Sequence, residues 1–117
     1  MKSSELRDWY VSTTREKITD EGLSGSAAKL LPADTVLVAM YGVTAGRVGL
    51  LKIEAALNQA ICGLVLDSEL ADPVYMFHLL RSKYLELSER SAGAAQQNLN
   101  AGIIKSFEVR VPGLSIQ

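Results

Sequence analysis

Amides are the polar side chains this chain gathers into clusters. Asn58 and Gln59 stand directly before an apolar run, and Gln96, Gln97, Asn98 and Asn100 crowd the stretch SAGAAQQNLNAG at 91–102. An Asn or Gln side chain offers a donor and an acceptor together, matching adenine N7 and N6 in the major groove of DNA. The same residues also serve ordinary architecture. Asn98 or Asn100 can cap the short helical turn AGIIK, and Asn58 and Gln59 can hold a loop through backbone hydrogen bonds. Composition alone favours the architectural reading.

A second stretch, MYGVTAGRVGLL at 40–51, places three glycines between apolar runs. A phosphate-cradling loop ends in Gly-Lys-Ser/Thr and opens a helix whose first amides complete the site. Here Gly46 is followed by Arg47 and Val48, and the downstream residues read as strand. The GxxxGxxG spacing also fails the dinucleotide fingerprint. The residue types predict a glycine-rich connection between strands rather than a nucleotide site. Such a connection lets backbone approach a ligand closely, with Tyr41, Thr44 and Arg47 standing around it.

Catalytic chemistry is poorly supplied. The single histidine, His78, falls inside a helical pattern, and the single cysteine, Cys62, sits among Ile61, Gly63 and Leu64 with nothing basic adjacent. A thiol so placed behaves as a small buried hydrophobe. No Cys/His set has metal-ligand spacing, and the carboxylates are mostly scattered. The expectation is a protein without catalysis, metal or cofactor of its own.

The elements that must position these residues follow from periodicity. Strands are predicted at 8–14, 35–42, 47–53 and 59–66, the last apolar enough to be covered on both faces. A helical turn is predicted around 22–29. The longest helix is predicted at 73–90, with Asp72 as cap, Pro73 at the first helical position and a stripe of Phe77, Leu80, Tyr84 and Leu87. The alternation in SFEVRVP predicts a half-exposed strand at 106–112, with Phe107, Val109 and Val111 inward. Several strands, one long helix and a final strand indicate an α+β fold.

Length and charge bound the reading further. At 117 residues the chain fits one domain, and 48% hydrophobic with 21% charged residues excludes intrinsic disorder. No apolar run reaches the length of a membrane span, the N-terminus lacks the apolar core of a signal peptide, and one cysteine suits a reducing cytoplasm. Twelve basic against thirteen acidic residues give a net charge of −1. A free-standing nucleic-acid binder usually carries a basic excess. A chain without one, if it touches nucleic acid, is expected to work within a larger assembly or to bind weakly alone.

Three blocks in order carry a family resemblance. They are Ile18-Thr19 with Gly22-Leu23 and the sequel AKLLP, then the strand–glycine-turn–strand unit ending in Asn58-Gln59-Ala60, then Gly93 with Gln96 and Asn98 and the segment up to Pro112. Together they resemble the target recognition domain of type I restriction–modification specificity subunits, over roughly residues 9–117. The resemblance implies a small mixed, partly barrel-like sheet with one long helix and short helical turns. It implies a module that reads half of a bipartite double-stranded DNA site and directs partner adenine-N6 methyltransferase (modification) subunits and a restriction subunit. S-adenosylmethionine and ATP then belong to those partners. Residues 1–117 are expected to be one truncated recognition domain, without the helical spacer and second recognition domain of the family, and therefore prone to form homo-oligomers.

On this resemblance the DNA-facing residues are expected to be Tyr41, Thr44, Arg47, Asn58, Gln59, Gln96, Gln97 and Asn98, with the last three near the glycine turn. The alternative is a truncated interaction protein that self-associates or binds methyltransferase subunits without engaging DNA, a reading the net charge favours.

Overall fold

The computed structural model describes residues 1–7, 9–86 and 99–117. Its centre is a four-stranded mixed sheet of order β1-β4-β3-β6, formed by Tyr10–Val11 (β1), Val36–Ala39 (β3), Val48–Leu51 (β4) and Ile61–Leu64 (β6). Strand β3 is antiparallel to both β4 (Val38↔Val48) and β6 (Ala39↔Ile61), while β1 runs parallel to β4. A second, two-stranded sheet pairs Leu30–Leu31 (β2) with Ala55–Ala56 (β5). The α+β class and the mixed sheet are as expected. The sheet stays open rather than closing toward a barrel.

All four residues of β3 are buried, because β3 lies between two strands and is covered on both faces. On one face Val36, Val48 and Leu50 pack with Met76, Phe77 and Leu80 of helix α2 (Pro73–Ser82), and Val38 and Cys62 pack with Ile104 of helix α3 (Ala101–Ser106). On the other face Leu37, Ala39, Leu51 and Ile61 pack with Leu6 and Val11, with Leu31 and Leu57 laid against them. The alternation of the two sets along each strand follows from the period-two side-chain geometry.

The first four sequence-predicted strands are trimmed to the residues that find a ladder partner. The stretch at 8–14 contributes only Tyr10–Val11. The predicted turn at 22–29 is instead helix α1, Asp20–Ser24, started by Thr19, whose hydroxyl oxygen accepts from the Gly22 amide at 3.0 Å, and ended at Gly25.

Helix α2 begins as predicted. Asp72 Oδ1 accepts from the Tyr75 amide at 2.9 Å, and Pro73 occupies the first turn. The ten residues of α2, at about 1.5 Å each, give about 15 Å; of the eighteen-residue helix expected, 84–86 follow as helix after one turn residue and 87–90 lie outside the described residues. The helix is interrupted at Lys83, where the Ser82 hydroxyl donates to the Leu79 carbonyl at 2.6 Å and the Lys83 amide reaches both Leu79 and Leu80 carbonyls; 84–86 are helical again. A serine bonding back to its own helix competes for the carbonyl that the next turn needs. Of the expected stripe, Phe77 and Leu80 are buried and Tyr84 is half-buried; Leu87 lies outside the described residues.

The strand expected at 106–112 is absent. Helix α3 runs through Ser106, and residues 107–112 join no ladder. The alternation is real for part of its length: Phe107 and Val109 pack against the α2 side of the core, Glu108 and Arg110 face solvent, and Val111 is 42% exposed. A segment laid along a packed surface shows the same alternation as a paired strand, so periodicity alone does not separate them.

Candidate nucleic-acid interface

Antiparallel pairing brings three connections to one end of the main sheet. The β3–β4 turn spans residues 40–47, and residues 57–60 lead into β6. The Met40 amide donates to the Ala60 carbonyl at 2.8 Å, which fastens these two together. The Leu99 amide donates to the Met40 carbonyl at 2.6 Å, bringing the start of the C-terminal segment to the same place. Pairing of β2 with β5 (Leu30↔Ala56) then sets residues 26–29 alongside.

The glycine-rich stretch is a turn. Residues Gly42–Thr44 form a 3-10 turn, and Gly42 (φ 70°) and Gly46 (φ 88°) adopt left-handed backbone that side-chain-bearing residues resist. The amides of Ala45, Gly46 and Arg47 donate to the carbonyls of Gly42, Ala39 and Thr44 at 3.1, 2.9 and 3.0 Å. Amides engaged in this way are not presented to a phosphate.

Of the residues expected to face DNA, Tyr41, Asn58 and Gln59 line one open groove of about 810 Å³, joined there by Ser26 and Lys29. Tyr41 is 44% exposed, and Asn58 and Gln59 are exposed. Asn58 Oδ1 accepts from the Ala60 amide at 3.2 Å, so its architectural role holds and its side-chain NH₂ faces outward from that bond. Asn100 is the cap anticipated for α3, accepting from the Ile103 amide at 2.8 Å. Thr44 and Arg47 belong to the same turn as Tyr41 but do not line the groove. The Thr44 hydroxyl donates to the Tyr41 carbonyl at 3.2 Å, which commits its proton to the turn. Gln96, Gln97 and Asn98 lie outside the described residues.

Lys29 and Ser26 were not singled out by residue type. What places them is the pairing of two-residue strands, too short to leave a periodic signal; the AKLLP block was the one pointer to that neighbourhood.

The net charge conceals a polarity along the strands. Segments 22–33, 35–53, 55–66 and 99–107 contain no Asp or Glu, and they supply Lys29 and Arg47 around the turn end. The opposite end carries Asp34 before β3 and Asp67, Glu69 and Asp72 after β6; there Lys52 is paired with Asp34 at 2.9 Å. Among the described residues, Lys29 and Arg47 take part in no ion pair. Separated charge of this kind steers a polyanion to one end of a nearly neutral molecule.

His78 is exposed and meets Phe77 edge-on at 4.9 Å between ring centroids. Cys62 is buried; burial pushes its thiol above the usual range, and Lys105 opposes that only partly. In the native protein Cys62 should therefore react with iodoacetamide at pH 8 at least about ten-fold more slowly than in the denatured chain, as mass spectrometry would show. Equal rates would mean the sheet centre is open to solvent. Among the described residues no group of three or more His, Cys, Asp or Glu is arranged to hold a metal, and no helix is long and apolar enough to cross a membrane.

An open mixed sheet whose cation- and amide-bearing turns converge at one end defines a small α+β binding module. The chain belongs to the type I restriction modification DNA specificity domain family, whose model matches residues 4–117. It is also similar to the type I restriction enzyme EcoR124I/EcoR124II specificity subunit of Escherichia coli, 22% identical over 112 residues that cover 92% of this chain. The chain spans 28% of the length of that relative.

Proposed function

We propose that this domain reads part of a double-stranded DNA target, with the turn end of the sheet against the duplex. The observation that carries this is the convergence of Lys29, Tyr41, Asn58 and Gln59 on one groove, with Arg47 in the same turn as Tyr41, where the surrounding segments hold no carboxylate. Lysine and arginine there hold phosphates and set the register; the amides and the tyrosine are placed to meet base edges. In keeping with its family, the domain then directs adenine-N6 methyltransferase and restriction subunits to the site. Methyl transfer from S-adenosylmethionine and ATP-driven steps belong to those subunits, and this domain contributes recognition without catalysis. The chain's near-neutral total charge suits a module whose partners share the hold on DNA.

The test is selection of duplexes from a randomised pool at low salt, followed by anisotropy on the enriched sequence. The wild type should enrich a defined sequence. Gln59→Ala should lose about ten-fold in affinity for it while keeping its affinity for random duplex. Absence of any duplex binding at low salt would reject the proposal.

A second reading, an interaction protein that engages copies of itself or methyltransferase subunits and not DNA, is favoured by exposed apolar residues such as Trp9 at 65% and Leu85 at 72%. It predicts co-purification with a modification subunit and no retained DNA.

A further inference from the structure

Val43 is the most solvent-exposed large hydrophobic residue among those described, at 87%. It occupies the middle of the 3-10 turn that joins β3 to β4. Turn positions ordinarily take Gly, Asn, Asp or Ser, which bond to the local backbone or tolerate its geometry. Valine does neither, and at this exposure it gains no burial within its own chain. Its apolar surface contributes only when something else covers it.

The support beneath it is stiff. The turn is closed by the Ala45 amide on the Gly42 carbonyl, the Arg47 amide on the Thr44 carbonyl and the Thr44 hydroxyl on the Tyr41 carbonyl. A β-branched side chain has one strongly restricted torsion. Val43 therefore loses little freedom on docking, which favours its use as a contact. The end of the sheet where this turn sits carries Lys29 and Arg47 and no carboxylate in the flanking segments, so the surface brought against it is a polyanion.

The major groove of B-DNA is about 12 Å wide and exposes the base edges to side chains set against it. The apolar group it displays is the thymine C5-methyl. Resting on the DNA reading above, we propose that the β3–β4 turn, residues 41–46, is set against the major groove and that Val43 reads a thymine by contact with its 5-methyl group. Tyr41 and Thr44 flank that contact, and Arg47 at the base of the hairpin meets the backbone. Val43 is thus a specificity-determining residue that leaves overall affinity for random duplex to the cations.

The test compares the wild type with Val43→Ser on a duplex enriched by the wild type, replacing each thymidine in turn by deoxyuridine, which lacks only the methyl group. Because Val43 is almost fully exposed, the serine variant should keep the fold, checked by circular dichroism. The wild type should lose about three- to ten-fold in affinity at one deoxyuridine position, consistent with one apolar contact. Val43→Ser should bind the thymidine duplex correspondingly less well and not distinguish the two at that position. The assignment is overturned if no deoxyuridine substitution affects the wild type, or if the serine variant keeps the same sensitivity. It is also overturned if Val43→Ser alters only binding to a methyltransferase subunit. In these cases the DNA reading itself stands, whereas failure of the wild type to bind any duplex removes both.

Discussion

Replacing Lys29 and Arg47 together by alanine should weaken binding to duplex DNA by about a hundred-fold, taking about 1.5 kcal/mol for each charged contact. Both cations flank the turn end, neither takes part in an ion pair among the described residues, and neither belongs to the buried core. The loss should therefore come from the interface and not from unfolding. Its signature is in the salt dependence. Each phosphate contact contributes about one unit to the slope of log affinity against log salt, so the double variant should show a slope shallower by about two. Sequence preference should survive, because phosphate contacts position the protein without reading bases. Lys52→Ala is the control. It removes a cation from the opposite end of the strands, where Asp34 already neutralises it, and should leave both affinity and slope unchanged. Equal effects from all three lysine and arginine positions would mean that binding follows total charge and not a face.

Phe77→Ala should destabilise the fold by about 3–5 kcal/mol, the largest single effect expected on stability. The ring is 1% exposed and joins α2 to Val36, Val48 and Leu50 of the sheet, with Tyr10 at 5.4 Å between ring centroids. Truncation leaves a cavity between α2 and the sheet. For a domain of this size, 3 kcal/mol corresponds to a fall in melting temperature of about 12 °C or more. Denaturant titration with an unchanged m-value would establish that stability and not cooperativity has changed. A change below about 1 kcal/mol would show that α2 is not packed on the sheet as described.

Much of the scaffold was legible because burial on both faces writes itself as uninterrupted apolar sequence. The runs containing Val36–Ala39, Val48–Leu51 and Ile61–Leu64 each became a strand, and the glycines between the first two became the turn. Asp72 and Pro73 marked the start of α2 correctly because capping is a local interaction. The break at Lys83 left no mark in the sequence, because the apolar stripe runs on across it and the Ser82 hydroxyl's bond to the Leu79 carbonyl is a detail of the folded helix. The C-terminal strand was misread for a related reason. Phe107 and Val109 alternate with charged residues, yet ladder pairing depends on which edge lies within reach, a property of the whole fold.

The site was legible by residue type and not by arrangement. Tyr41, Asn58 and Gln59 could be chosen as exposed polar side chains near turns, but the groove that unites them depends on pairing between Leu30–Leu31 and Ala55–Ala56. That pairing brings Lys29 from a distant part of the sequence. The charge polarity was hidden for the same reason, since a net −1 sums over both ends of the strands.

The central claim is that the turn end of the sheet, and not its acidic end, faces the duplex. Backbone amide chemical shifts recorded while duplex DNA is titrated in would test it most directly. The account predicts perturbations concentrated at residues 26–29, 41–47 and 58–60, and silence around Asp34 and Asp67–Asp72. Perturbations centred on the start of α2, or spread evenly over the surface, would contradict it.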